Sequence, residues 1–308
     1  MKNKKGYLQI SFGWLFAIIV GIVIIALAIY FVTKMVGTQT TLQSAKTSKE
    51  VGVLLNPLET SFESAVTSSI IFPTDTRIYN RCDNYGNFGT QGIEIVQKNF
   101  NKWEKTDLEV DFQNKYIFSE RYTEGKTFYI FSKPFEFPFK IANLIYIIPS
   151  STNYCFIDAP DEIEEEIQSL NKKFPNLRLR SDCSENDVKV CFESGSCEIS
   201  VDYDAKKVRK DDEIMYFETD ALMYGAIFSN KATYECQLKR LMQRIEQLSE
   251  IYIDKEVLIS TKCDSELSAE LLELKNSASS LEDSSELYLI NFIIEDIEDK
   301  NKGECRLW

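Results

Sequence analysis

The chain contains no histidine at all. Ser-His-Asp and Cys-His nucleophile arrangements are therefore impossible, and so is an imidazole proton shuttle near neutral pH. The usual zinc sites go with them, because no CxxC pair occurs and the cysteine spacings are irregular. Also missing are a phosphate loop, GxGxxG, GxSxG and HExxH. No N-x-[ST] sequon is present, so glycosylation by that rule is not expected. The first 37 residues lack any acid. What survives these exclusions is carboxylate-pair or lysine chemistry. With 48 acidic residues, chance pairs of carboxylates are plentiful and carry little weight. No cofactor and no metal is expected, and Asp202-Tyr-Asp204 opens like a calcium loop without its glycine or terminal glutamate.

What is present is unevenly placed. Lys2, Lys4, Lys5 and Lys34 give the first 37 residues a charge of +4. The remaining 31 basic residues face 48 acidic ones, a net of −17. Such a surface repels phosphate backbones and argues against nucleic-acid binding. All eight cysteines, Cys82, Cys155, Cys183, Cys191, Cys197, Cys236, Cys263 and Cys305, follow the apolar segment. An even number placed this way fits disulfides in an oxidising compartment.

Residues 12–32, FGWLFAIIVGIVIIALAIYFV, form an unbroken apolar run of 21 residues. As a helix it spans about 30 Å, the thickness of a bilayer's hydrocarbon core. Trp14 and Tyr30 lie near its ends, where amphipathic rings favour the interface, and Lys34 follows. The lysines crowd the N-terminal flank, so the positive-inside rule puts the N-terminus in the cytoplasm and residue 38 onward outside. The run exceeds a signal peptide's apolar region and no A-x-A site follows it, which favours a permanent anchor.

The stretch KKGYLQISF at 4–12 resembles the N-terminus of archaeal type IV pilin-like proteins, in which a basic leader ends in Gly or Ala and Gln-x-Ser opens the hydrophobic helix. Gly13 stands where those proteins usually carry glutamate. The resemblance covers about 30 residues and implies leader removal between Gly6 and Tyr7, followed by assembly. The segments KPFEFPFKIANLIYI, YCFIDAP and YECQLKRLM, with the ending CRLW, also resemble uncharacterised single-pass membrane proteins of small-genome archaea. That likeness implies an anchored, disulfide-bearing protein and no activity.

Beyond the anchor, Val51, Leu54, Leu55, Leu58, Phe62 and Val66 recur at helical spacing, predicting a stalk that ends near Pro73. From Thr76 the period is that of strands. Residues 93–96, 108–112 and 144–148 read as strands, and 116–119 and 128–131, which share the run YIFS at 116–119 and 129–132, read as a hairpin turning at Glu124-Gly125. Phe135, Phe137 and Phe139 could stack on a sugar or base but read better as core. Residues 158–171 read as a helix capped by Asp158, with Ile163, Ile167 and Leu170 inward and Glu164, Glu165 and Glu166 on a solvated face. Residues 188–192 and 197–201 read as a hairpin with Cys191 and Cys197 as cross-strand neighbours.

From 218 the pattern is helical. One long helix is expected over 219–260, then helices over 265–281, capped by Asp264 or Ser265, and 284–300, capped by the serines before Glu286. A fold-back would pair Cys263 with Cys305, whereas 27 helical residues, about 40 Å, keep Cys236 from Cys263. The fold class expected is α+β: a basic flank and membrane helix at 1–36, a helical stalk at 37–75, a β-rich extracytoplasmic domain at 76–217 and a helical region at 218–308. The function expected is a non-catalytic structural or adhesive protein of the cell envelope, pilin-like in one form. The alternatives are an anchored ligand- or partner-binding module and, behind it, a carboxylate-based envelope enzyme. Its partners are the lipid bilayer and either copies of itself or neighbouring envelope proteins.

Overall fold

A computed structural model describes residues 12–35, 67–99, 102–192, 197–259, 266–302 and 305–308. The chain forms two compact units, residues 1–47 and 48–308. In the first, helix α1 (Phe12–Met35) has a mean hydropathy of 3.1 and none of its most apolar window is buried. It is long and apolar enough to cross a membrane. Isoleucine and valine make a poor helix in water, but lipid offers the backbone no partner outside the helix.

The second unit opens with a six-stranded sheet: β1 (Thr67–Asp83), β2 (Thr90–Asn99), β3 (Lys102–Phe112), β4 (Tyr116–Phe118), β5 (Tyr122–Glu136) and β6 (Lys140–Pro149). Its order is β3-β2-β1-β5-β6-β4, antiparallel except that β4 lies parallel to β6. Residues 67–75, expected to finish the helical stalk, lie instead in β1; the stalk residues before them fall outside those described. Proline cannot donate to a ladder, and Pro73 sits where the register of β1 against β5 shifts, between Ile71 and Thr76. The sheet is curled. Asn80 on β1 donates to Ile117 O on β4 at 3.1 Å, although β5 and β6 stand between those strands in the order. Ile78, Ile93, Ile95, Ile117, Phe128, Ile130 and Ile145 form a buried cluster on its concave side.

The expected 116–131 hairpin does not form. Tyr116, Ile117 and Phe118 are all fully buried, and they form an edge strand paired in parallel with β6 instead of antiparallel with β5. Glu124 and Gly125 lie within β5, not in a turn. Phe135, Phe137 and Phe139 are core, as read.

The second sheet comprises β7 (Tyr154–Ile157), β8 (Leu177–Leu179), β9 (Val188–Cys191), β10 (Ile199–Asp202), β11 (Lys207–Lys210) and β12 (Glu213–Tyr216), ordered β12-β11-β10-β9-β7-β8. Helix α2 (Asp161–Asn171) connects β7 to its parallel neighbour β8 and buries Ile163, Ile167 and Leu170. Asp158 does not cap it. Pro160 holds the N-cap position, and Asp158, at φ +54°, pairs with Arg180. Nor is 188–201 a hairpin. β9 and β10 pair in parallel, as β9 does with β7; alternation identifies a strand without fixing its direction.

The long helix expected from 219 is two helices. α3 (Asp220–Phe228) is capped by Thr219 Oγ1, which accepts from Leu222 N at 3.3 Å. Ser229 is extended, and Asn230 Oδ1 then accepts from Thr233 N at 3.0 Å to start α4 (Lys231–Ile259). Every residue of α3 from Ala221 to Phe228 is buried, as a helix apolar on all sides must be. A Cβ on Gly225 would stand 2.7 Å from the Phe118 ring, so glycine is what lets β4 approach. α5 (Ser268–Ser280) and α6 (Leu287–Lys300) follow. Asp264 and Ser265 fall outside the described residues. Glu256, on α4, accepts from Leu267 N at 2.7 Å and from Ser268 Oγ, serving the free donors where α5 begins. Before α6 the capping acceptor is Asp283, taking Ser285 N at 2.8 Å, not either serine.

Candidate functional site

Where the two sheets meet, a cavity of about 460 Å³ opens at the surface. Its floor is apolar, made by Ile147 of β6, Tyr154 of β7, Val188 of β9, Ile199 of β10 and Phe228 at the end of α3. Its rim is charged: Glu120 and Glu124 from the start of β5 and the residues before it, Glu198 beside β10, and Lys210 and Asp211 at the end of β11. β11 ends here for a local reason. Asp211 and Asp212 have φ of +51° and +61°, the two-residue turn that joins β11 to β12, and aspartate tolerates that region better than most residues.

The rim charges are not equivalent. Lys210 Nζ pairs with Glu120 and donates to Ile227 O and Ser229 O, both at 3.1 Å, at the C-terminal end of α3. A cation there satisfies orphan carbonyls and the negative end of the helix dipole. Glu124 accepts from Arg77 Nε at 2.8 Å, and the Arg77 guanidinium lies 3.9 Å from the Trp103 ring. The hydrogen bond to Glu124 holds the Arg77 pKa above its ordinary value. Glu198 accepts from a neutral donor, Lys189 N at 3.0 Å. Neither Glu198 nor Asp211 has an ion-pair partner among the described residues. Burial, with Glu120 nearby, raises the pKa of Tyr154 and keeps its hydroxyl protonated. Thr123 also lines the cavity; its hydroxyl is buried and has no hydrogen-bond partner among the described residues.

A second polar centre is structural. Arg240 of α4 is fully buried and forms no ion pair among the described residues. It donates to Lys115 O and Gln113 O at 2.9 Å, Phe88 O at 3.1 Å and Gln237 Oε1 at 2.8 Å, with Tyr116's ring 4.8 Å away. Desolvation lowers its pKa to about 10. Gln237 continues the network to Gln91, and Gln91 to Asn80 at 2.6 Å. Gly89, at φ +57°, makes room: a Cβ there would stand 2.8 Å from Arg240 Cγ.

The cysteines pair as Cys82–Cys236, Cys155–Cys183 and Cys191–Cys197. The last is the neighbouring pair read from the sequence, and Cys236 avoids Cys263 as expected. Cys305 is disulfide-bonded, and the expected pair with Cys263 falls on a residue outside those described. Gly6 and Tyr7 also lie outside them. Trp14 and Tyr30 are exposed on α1, and Lys34 Nζ lies 5.9 Å from the Tyr30 ring. The acidic run on α2 is only partly solvated: Glu166 accepts from Lys133 Nζ at 2.6 Å and Tyr224 OH at 3.1 Å. Asp202 holds a turn, accepting from Ala205 N at 2.9 Å and pairing with Lys207 at 3.0 Å. No group of three or more potential metal ligands occurs among the described residues.

Sequence reasoning did not find the cavity. Thr123, Glu198, Lys210 and Asp211 span 88 positions and meet only because the sheets do; the single local signal was the Asp211-Asp212 turn between two short alternating runs. No protein-family model, no curated protein and no solved structure matches the chain.

Proposed function

We propose that this chain is a membrane-anchored binding protein of the cell envelope, whose α1 holds a disulfide-stapled domain outside the cytoplasm. The observation that carries the reading is the cavity between the sheets: it has an apolar floor, a charged rim and a volume in the range of small-ligand sites. Three further features support it. A spanning helix anchors far more firmly than a single acyl chain. Lys2, Lys4 and Lys5 favour a cytoplasmic N-terminus. The paired cysteines suit an oxidising compartment. The intact mass of the protein from native membranes, alkylated without reduction, tests the topology. An unalkylated mass supports it, and eight alkylated cysteines overturn it.

A second reading, an envelope component that assembles laterally in pilin-like fashion, is favoured by the open space beside Gly13 and Gly21 on α1 and by exposed Tyr288 and Phe292 on α6. On that reading the mass begins at Tyr7, and Gly21→Ile disperses the assembly in cross-linking of native membranes. A full-length mass with unchanged cross-linking leaves the anchored binding module alone.

A further inference from the structure

We infer that a second cavity, between α4, α5 and the turn joining β1 to β2, takes a neutral sugar; this goes beyond the cavity between the sheets and does not depend on it. The second cavity holds about 400 Å³, within the range of small-ligand sites, and its lining is chiefly polar. What makes it a built site is the turn, residues 84–89. Three side chains of α4 grip its carbonyls: Gln243 Nε2 donates to Asn84 O at 2.9 Å, Gln247 Nε2 to Asn87 O at 2.7 Å and Arg240 Nε to Phe88 O at 3.1 Å. The Cys82–Cys236 disulfide fastens the strand just before the turn to the same helix. A loop held at four points has little freedom left to lose on binding, which is the condition for recognition by hydrogen bonds.

The clamp uses the turn's carbonyls and leaves its side chains over. Asn84 and Asn87 line the cavity, and their side-chain amides have no hydrogen-bond partner among the described residues. An amide both donates and accepts, as each hydroxyl of a sugar does. The charges at the cavity cancel in sum: Lys239 against Glu246, and Glu250 against Lys275, its partner at 3.2 Å. Neither a cation nor an anion is therefore preferred. Met242, Ala278 and Leu281 supply one small apolar patch, enough for the C–H face of a sugar ring and too little for a larger apolar body. A peptide would pair its backbone with a strand edge, and this cavity is bordered by two helices and a turn.

The test uses the full chain in phospholipid nanodiscs, which bring no sugar of their own. The probes are immobilised disaccharides of glucose, galactose and mannose, each beside its uronate and its 2-amino form. The expected result is retention on a neutral sugar at least about tenfold above its charged forms, unchanged when salt is raised. Asn87→Ala should weaken that retention about tenfold. Ser279→Trp, which puts an indole into the cavity from the exposed end of α5, should abolish it. Neither should lower the denaturant midpoint, and Glu198→Gln, in the cavity between the sheets, should leave retention unchanged. Equal retention on a charged form, loss with Glu198→Gln, or no retention on any sugar overturns the assignment. The binding-module reading rests on the other cavity and survives each of these outcomes.

Discussion

In the first sheet five strands run for 10 to 17 residues, whereas no strand of the second exceeds four. The first therefore has ladder and packed side chains to spare, with Phe128, Ile130, Ile145 and Ile95 buried on its concave face. A three- or four-residue strand closes few ladder hydrogen bonds, which leaves it marginal without help. The help is covalent. Cys155–Cys183 ties β7, and Cys191–Cys197 ties β9, to a loop of the second sheet's own connections, while among the described residues the first sheet is touched only by Cys82–Cys236, which ties the end of β1 to α4. In this domain cysteines stand in for strand length.

The largest effect is expected from Cys82→Ser with Cys236→Ser. It opens a loop of 154 residues and should cost about 5 kcal/mol in the chain-entropy account, read as a lower denaturant midpoint of the whole domain. Next comes Arg240→Met. It strands the carbonyls of Gln113 and Lys115 and should cost about 4 kcal/mol, with amide-exchange protection lost first around β4 and the end of β3. Third, Cys155→Ser with Cys183→Ser should cost about 3.5 kcal/mol and loosen the second sheet selectively. If the amides of β5 and β6 lose protection equally, strand length is not what holds the first sheet.

The smallest effect is acid-dependent. Asp187 accepts from Ser184 N at 2.8 Å and Asn153 Nδ2 at 3.0 Å and pairs with Arg178, and these partners, the Ser184 bond foremost, hold its pKa below the ordinary 3.8. A carboxylate with a depressed folded pKa stabilises fully above its ordinary value, and that stabilisation is lost as pH falls through the folded one. Acid titration below pH 3.8 should therefore open the second sheet before the first, and Asp187→Asn should abolish that difference.

How much was legible in the sequence follows the range of the interactions. The apolar run of α1, the inward stripe Ile163, Ile167 and Leu170 and the neighbouring Cys191–Cys197 pair are set within a few residues, and the local pattern shows them. Strand direction is not local, which is why 188–201 reads as a hairpin and lies parallel. One asparagine broke the long helix: Asn230 is a poor interior residue and a good cap, and the apolar period on either side hid it. The cavity was invisible because its floor and rim come from strands that share no pattern.

The Cys82–Cys236 clasp also sets a timetable for making the protein. Cys82 leaves the membrane first among the cysteines on the proposed topology, and its partner follows only after Cys155, Cys183, Cys191 and Cys197 have emerged. Those four close short loops, 28 and 6 residues apart, and can do so on arrival. A chain oxidised strictly in order of emergence would join Cys82 to Cys155 and trap both sheets. Native maturation therefore requires the first thiol to wait for α4, or a thiol–disulfide exchange catalyst to release it afterwards. Yield of the correctly paired protein should then be governed by the redox machinery at the site of export.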